Sequence, residues 1–189
     1  MKPARTLYSA TMSLDGFIAG PGGDMSWMVP YLGLNPLVDG LVSQIGALLV
    51  GNRTFHGDDP YKGTENEGEA FGGEWQGPQF VLTHHPPDEP MPGVTFVGSL
   101  ASGLAAAKAA AGEKYVNVLG ADIARQCLDA GELDEILMIV APVLLGDGVR
   151  LFDYPGGAQI RLEPMSVSNT DRVTNLWFRV VKSGDDRSH

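Results

Sequence analysis

An apolar run over residues 45–50 ends abruptly at Gly51, and the small polar residues Asn52 and Thr54 follow with Arg53 between them. This pattern is typical of a buried strand that passes directly into a helix N-terminus. The N–H groups and the positive dipole end of such a helix favour an anion, and a guanidinium adds a forked cationic donor that suits a phosphate. The sequence therefore predicts an anion-binding turn; an ordinary capped turn with a solvated arginine is the alternative.

A second apolar run ends in the same way. Residues 115–119 read as a strand, Gly120 follows, and Ala121, Asp122 and Ile123 open a helix. We expect the two turns together to hold the two halves of one dinucleotide.

Strands and helices alternate along most of the chain, which predicts an α/β protein whose sheet is at least partly parallel. The predicted strands are 7–12, 45–50, 80–83, 94–97, 114–119 and 135–144, and the predicted helices are 36–45, 100–111 and 121–130. Two antiparallel strands near 159–168 and 172–182 end the fold.

The length and composition indicate one domain, residues 1–182, followed by a polar and frayed tail at 183–189. The net charge of −10 argues against nucleic acid or an anionic membrane as a partner, because both require a basic face. An anionic cofactor remains compatible with this charge, since distant carboxylates are screened beyond about 10 Å.

Cys127 is the only cysteine of the chain, which excludes an internal disulfide and a Cys-rich zinc site. We expect no metal and a cytoplasmic location. No apolar leader follows the N-terminus, and the longest apolar run, 136–145, is too short to span a bilayer.

Residues 56–79 form a long segment rich in acidic residues and glycine. A segment of this length in a compact domain is either functional or a plain surface connection. We consider both a lid or substrate-side wall and a surface connection.

The sequence lacks a Walker loop, an H-E-x-x-H motif and a G-x-S-x-G motif. Asp15 alone has a setting that looks catalytic, at the end of the first strand before Gly16; a turn residue that bonds its own backbone is the alternative. His84 and His85 are adjacent on a strand end and point in opposite directions, which disfavours a shared metal. His84 is expected near the adenine end of a cofactor or in solvent.

Four segments in chain order resemble the C-terminal reductase domain of the bifunctional riboflavin-biosynthesis deaminase/reductase, which belongs to the dihydrofolate reductase superfamily. The segments are 13–16, 49–54, 118–121 and 141–148, the last followed by Leu151 and Phe152. The resemblance covers nearly the whole chain. It implies a three-layer α/β fold with a central, mostly parallel, mixed eight-stranded sheet, an antiparallel C-terminal hairpin, and NADPH laid across the strand ends.

The resemblance also implies site residues. Asp15 would be catalytic, and the substrate side would include Trp27, Tyr31, Leu32, Leu145 and Gly146. The cofactor-binding residues would be Ala10, Ile18, Gly51, Arg53, Thr54, Thr83, His84, Gly120, Ala121, Asp122 and Ile123.

Two departures from related families limit the function. Residues 25–30 stand where dihydrofolate reductase has its Met-Pro-Trp-x-x-Pro segment, but Leu32 occupies the position of the proton-donating carboxylate, which disfavours dihydrofolate reduction. The zinc-deaminase signature is absent. Arg125, Arg150, Arg161 and Arg172 lie in unrelated segments, so no basic cluster for a ribose phosphate is evident.

The sequence thus predicts an NADPH-dependent reductase that passes hydride to a small heterocyclic or opened-sugar imine substrate, similar to the 5-amino-6-(5-phosphoribosylamino)uracil reductase of riboflavin biosynthesis. A pterin or dihydrofolate-type reductase and a non-catalytic nucleotide-binding protein of the same fold are the alternatives. A homodimer is expected, because related reductases often form one.

Overall fold

A computed structural model describes residues 2–153, 155–157 and 159–182, and the predicted tail at 183–189 lies outside these residues. The described strands are β1 (Arg5–Ser13), β2 (Phe17–Ala19), β3 (Ile45–Gly51), β4 (Gln79–Leu82), β5 (Val94–Val97), β6 (Tyr115–Leu119), β7 (Glu135–Ala141), β8 (Val149–Arg150), β9 (Leu162–Asn169) and β10 (Thr174–Val180). The α-helices are α1 (Pro36–Val42), α2 (Asn52–Phe55), α3 (Leu100–Ala111) and α4 (Ala121–Asp129), and short 3-10 helices cover Pro21–Gly23, Ser26–Tyr31 and Ala70–Gly73.

Eight strands form one sheet in the order β5-β4-β3-β6-β1-β7-β10-β9, and β2 and β8 form a separate two-stranded sheet. All pairings from β5 to β7 are parallel, whereas β10 runs antiparallel to both β7 and β9. The predicted mostly parallel mixed sheet with a C-terminal antiparallel hairpin is confirmed. Because β1, β3, β4 and β6 are parallel, their carboxyl ends meet at one edge of the sheet.

Each face of the large sheet buries its own apolar core. Helices α3 and α4 cover one face, where Tyr8, Val116 and Ala107 are buried. Helix α1 and the segment before β4 cover the other face, where Leu48 and Trp75 are buried. The layers are therefore helix, sheet and helix, as expected for parallel strands joined by helical connections.

Several predicted elements are shorter in the structure, and for two of them the sequence shows why. The first helix ends at Val42, not at residue 45, because Ile45 already starts β3. Strand β7 ends at Ala141, because Pro142 follows and has no N–H to continue the ladder. Ala141 accepts a hydrogen bond of 2.8 Å from the Val143 N–H instead, which turns the chain.

The acidic segment 56–79 is fastened at both ends. The Asp58 carboxylate accepts a 3.1 Å hydrogen bond from the Met25 N–H, and the buried Trp75 indole donates a 3.1 Å hydrogen bond to the Ile45 carbonyl. The Trp75 contact holds the segment on the sheet face that α1 covers, and the Asp58 contact joins it to the loop that contains Met25. None of the helices in the described ranges is long and apolar enough to cross a membrane.

Candidate active site

A cleft of about 1140 Å³ runs along the carboxyl ends of the parallel strands. Its floor includes Tyr8 and Ala10 of β1, Gly51 of β3, Leu82 of β4 and Leu119 of β6. Small-molecule sites are typically about 300–1,000 Å³, so the cleft has room for more than one small ligand. This is the edge where open parallel sheets bind ligands.

All eleven residues that the sequence assigned to a cofactor line this cleft. They are Ala10, Ile18, Gly51, Arg53, Thr54, Thr83, His84, Gly120, Ala121, Asp122 and Ile123. The fold brings them together because β3, β4 and β6 lie side by side although their sequences are far apart. Their role in cofactor binding stays a prediction.

Arg53 carries positive charge to the first of the two turns. Its guanidinium is exposed and makes no hydrogen bond or ion pair to any residue in the described ranges. Burial raises the pKa of Asp122, but hydrogen bonds from Arg125 and Gln126 and the charges of Arg125 and Arg53 outweigh this and leave the pKa lowered. Arg53 therefore lies close enough to Asp122 for their charges to interact across the two turns.

The second turn requires a glycine. Gly120 has φ +108°, a backbone conformation that side chains disfavour, and it immediately precedes α4. A Cβ at this position would lie 2.5 Å from the Thr54 Oγ1. The two turns thus lie close together, and a side chain at residue 120 would force the Thr54 side chain to shift.

One wall of the cleft comes from residues 25–39 and from the segment 56–79. Of the residues predicted for the substrate side, Tyr31 and Leu32 line the cleft. The segment 56–79 contributes Gly57, Asp58, Pro60, Tyr61, Phe71 and Glu74. Its position as a wall is therefore observed, whereas a lid motion stays a prediction.

Four other predicted residues do not line the cleft: Asp15, Trp27, Leu145 and Gly146. The Asp15 carboxylate accepts hydrogen bonds from the Ser13 hydroxyl at 2.6 Å and from the N–H groups of Leu145 and Gly146 at 3.1 and 2.8 Å. The Ser13 contact is that of a turn residue, as in the alternative to a catalytic role. The contacts with Leu145 and Gly146 show in addition that Asp15 joins its turn to a distant loop. Trp27 packs beside Tyr31, with ring centroids 6.4 Å apart. A catalytic role for Asp15 stays a prediction.

Arg172 belongs to the site, which corrects its placement in an unrelated segment. It lines the cleft from the turn between β9 and β10, and its Nη1 donates hydrogen bonds to the carbonyl oxygens of Leu32 and Pro30. Nearby, Asn35 and Asn175 are buried and exchange two side-chain hydrogen bonds of 2.9 and 3.1 Å. The C-terminal hairpin therefore holds the wall segment 30–35 in place.

Sequence reasoning also missed Tyr8, Asp39, Tyr61 and Glu74, which all line the cleft. Tyr61 and Glu74 lie within the acidic segment 56–79, which the sequence indicates as a possible wall. The sequence therefore located the segment but did not show which of its residues line the cleft. Tyr8 and Asp39 occur in an ordinary strand and an ordinary helix and carry no local motif.

A family model described as the RibD C-terminal domain matches residues 6–176. The chain belongs to this family. The match confirms the resemblance drawn from the four segments, and the family indicates a reductase enzyme. A search of curated proteins finds no match.

Solved structures agree on the fold. A protein from Shewanella sp. PV-4 that is assigned to riboflavin biosynthesis superimposes with a TM-score of 0.73 at 21% identity, over 94% of this chain and 99% of the other. The Thermotoga maritima diaminohydroxyphosphoribosylaminopyrimidine deaminase/5-amino-6-(5-phosphoribosylamino)uracil reductase gives a TM-score of 0.67 at 19% identity, over 95% of this chain but 57% of the other. A pyrimidine reductase-like protein from Corynebacterium diphtheriae gives 0.63 at 15% identity, over 95% and 93%.

Proposed function

We propose that this protein is an NADPH-dependent reductase that passes hydride to a small heterocyclic or opened-sugar imine substrate. The observation that carries the proposal is the gathering of all eleven predicted cofactor residues on one cleft beside a separate aromatic and acidic wall. The Thermotoga maritima relative is named as a 5-amino-6-(5-phosphoribosylamino)uracil reductase, and a reduction of that kind is what we propose for this chain.

The residues of the cleft fit a dinucleotide phosphate. Arg53 would hold the phosphate that distinguishes NADPH from NADH, because its guanidinium is exposed and makes no hydrogen bond or ion pair to a described residue. The first N–H groups of α4 have no partner within the helix and would face the pyrophosphate past Gly120. Thr54 and Thr83 would add neutral hydrogen bonds. When bound, the nicotinamide supplies a hydride.

The protein residues would orient the substrate and exclude water. Tyr31, Leu32 and Phe71 give the cleft an apolar wall against which a planar ring can pack. Leu32 has no proton to donate, which disfavours the dihydrofolate-type alternative. Fixing the reacting atoms at a short distance is the main contribution that such a wall can make.

Loss of NADPH absorbance with a series of substrates tests the proposal. We expect turnover with a ribosylaminopyrimidine, with or without its phosphate, and weaker or no turnover with dihydrofolate. Tight NADPH binding without turnover on any imine would favour the non-catalytic nucleotide-binding protein. Weak binding of both NADPH and NADH would overturn the proposal.

A cytoplasmic homodimer belongs to the same proposal. Strand β9 is an edge of the large sheet, and its Leu162, Met165 and Val167 are exposed. An apolar sheet edge of this kind favours association with a second copy. Sedimentation equilibrium of the wild type and of Val167→Lys would show whether β9 forms the dimer contact.

A further inference from the structure

Residues 30–34 of the cleft wall have little hydrogen bonding of their own. Of the backbone N–H groups of Leu32, Gly33 and Leu34, only that of Leu32 donates a hydrogen bond to a described residue, at 3.3 Å. Leu34 is 90% exposed. The segment nevertheless carries Tyr31 and Leu32, which line the cleft. A contact from outside the segment is therefore needed to fix these two side chains.

Arg172 provides such a contact from the turn between β9 and β10. Its Nη1 carries two hydrogens and donates to the carbonyl oxygens of Leu32 and, at 3.5 Å, of Pro30. A Cβ at Gly33 would lie 3.3 Å from the Arg172 Nη1 and 3.6 Å from its Cζ, so the guanidinium lies against the backbone of the segment. One planar side chain thus contacts Pro30, Leu32 and Gly33 together.

The backbone of Arg172 is held by its own turn. The Thr170 hydroxyl accepts hydrogen bonds of 3.2 Å from the N–H groups of Arg172 and Val173, and the Thr170 N–H donates one of 2.9 Å to the Val173 carbonyl. Val173 is buried, and β10, which follows it, pairs with β7. The Asn35–Asn175 pair fastens the end of the segment to the same strand. The guanidinium therefore sets the position of the wall relative to the large sheet.

The Arg172 guanidinium has no carboxylate partner among the residues that the structure describes, and both of its acceptors there are backbone carbonyls. Hydrogen bonds from a cation are shorter and stronger than neutral ones. Because Arg172 and Leu34 are both exposed, these contacts bury little apolar surface and should contribute little to global stability. Their effect is local, on the place of Tyr31 and Leu32 in the cleft.

We propose that Arg172 is a positioning residue of the cleft. It acts through the Leu32 and Pro30 carbonyls and holds Tyr31 and Leu32 where a bound substrate meets them. This inference rests on the reductase function proposed above and adds the β9–β10 turn to the machinery of that site. A misplacement of about 1 Å can cost about a hundredfold in rate, so loss of the contact should be visible in turnover while the fold persists.

Kinetics of Arg172→Gln and Arg172→Lys with NADPH test this role. The two substrates are 5-amino-6-(5-phosphoribosylamino)uracil and the same compound without its phosphate. We expect Arg172→Gln to lower kcat/KM by about tenfold to a hundredfold for both compounds, with kcat lowered as well as KM raised, because orientation and binding are both impaired. Arg172→Lys should recover part of the loss, since it keeps the charge but not the planar group. The Kd of NADPH and the free energy of unfolding should stay at their wild-type values.

Limited proteolysis reports on the wall without any substrate. Chymotrypsin should cut after Tyr31 or Leu32 faster in Arg172→Gln than in the wild type, because the released segment opens more often. Arg161→Gln is the matched control. It removes the same group from a residue that precedes β9, pairs with Glu163 and lies outside the cleft lining. It should change neither the cleavage nor the kinetics.

Unchanged kcat/KM in Arg172→Gln would overturn the inference. A loss confined to the phosphorylated compound would overturn it as well, because Arg172 would then bind the phosphate directly. Parallel losses of NADPH affinity and of stability would show that Arg172 supports the whole fold instead. If the wild type turns over neither compound, the reductase proposal fails and the proteolysis decides: equal cleavage of Arg172→Gln and the wild type would then refute the positioning role.

Discussion

The Asp15 Oδ2 accepts a 2.8 Å hydrogen bond from the N–H of Gly146, a residue 131 positions further along the chain. The same carboxylate accepts from the Ser13 hydroxyl and from the Leu145 N–H. This one side chain therefore joins the turn after β1 to the loop after β7.

Asp15→Asn should lower stability at neutral pH and flatten its acid dependence. The Ser13 hydrogen bond and the N–H groups of Gly146 and Leu145 outweigh burial and lower the pKa of Asp15 from 3.8 to about 2. Because the folded protein holds this proton less tightly than the unfolded chain, the stabilisation is complete above pH about 4 and is lost as the pH falls through about 2. Denaturant midpoints measured from pH 7 downward would show the effect.

Asp88→Asn, an exposed residue outside these loops, is the control and should follow the wild type at every pH. The same Asp15 variant tests the catalytic prediction. Unchanged stability together with reduced turnover would show that the Asp15 carboxylate acts in the chemistry and that its loop contacts are secondary.

Arg53 should decide the preference for NADPH over NADH. A charge-assisted hydrogen bond is typically worth about 1.5–3 kcal/mol, which corresponds to roughly tenfold to a hundredfold in affinity. Arg53→Ala should lose most of the preference while NADH affinity barely changes, and the difference should shrink at high salt. Titrations of both cofactors at low and high salt provide the measurement.

Lys114→Ala is the control, because it also removes one positive charge but at a site outside the cleft. Lys114 lies before β6 and donates a hydrogen bond to the Ser43 carbonyl. The control variant should leave the NADPH preference intact. An equal loss of affinity for both cofactors in Arg53→Ala would indicate that Arg53 contacts the pyrophosphate or supports the fold. Unchanged affinity for both would indicate that Arg53 is a solvated surface residue.

The residues that the sequence located are those with a local reason for their position. Gly51 and Gly120 each end an apolar run and open a helix, so both turns could be recognised without a partner in view. The parallel order of β3, β4 and β6 then brings the turns together. The meeting of these two turns on one cleft was therefore predictable from short segments.

The contacts that hold the wall of residues 25–39 were not predictable in the same way, because they join segments that are far apart in the sequence. Arg172 reaches Leu32 and Pro30 only after β10 has paired with β7. The pairing of Asp15 with Leu145 and Gly146 depends equally on the close approach of two distant loops. A single sequence contains no local pattern that fixes such approaches, so Arg172 and the contacts of Asp15 with Leu145 and Gly146 were missed.

The buried Asn35–Asn175 pair should be a strong point of stability. Both amides lie in the interior at 7% and 1% exposure, and Asn175 also donates to the Ser168 hydroxyl at 3.1 Å. Asn175→Ala would leave the buried Asn35 amide without its hydrogen-bond partner and should lower the free energy of unfolding by about 1–3 kcal/mol. Asn169→Ala, an exposed amide on the same hairpin, should cost far less.

Chemical denaturation measures both costs. The double variant Asn35→Ala/Asn175→Ala should lose less than the sum of the two single variants, because no unpaired partner remains. Additive losses would show that the two amides do not depend on each other. Since Asn35 lines the cleft, the single variants should also weaken ligand binding in the cleft.

The contact between Gly120 and Thr54 predicts a coupling between the two turns. Gly120→Ala should be destabilising for two reasons: the backbone at φ +108° and ψ 133° costs a residue with a side chain about 1–3 kcal/mol, and the new Cβ would lie 2.5 Å from the Thr54 Oγ1. In a Thr54→Ala background the second reason is removed, so the loss should fall to the first. Gly131→Ala is the control for a positive φ without a clash, because Gly131 has φ +68° and a Cβ there would meet nothing within 4 Å; its loss should be no larger than that of Gly120→Ala in the Thr54→Ala background.

The double-mutant cycle is measured by denaturation, and NADPH titration of the same four proteins follows binding. A loss at Gly120 that is equal in both backgrounds would show that Thr54 moves away without cost. If Gly120→Ala/Thr54→Ala folds stably and still fails to bind NADPH, the loss of affinity shows that the cofactor passes close to the backbone at residue 120. If it binds like Thr54→Ala, the turn before α4 does not face the pyrophosphate, and only the turn after β3 is left to hold the cofactor.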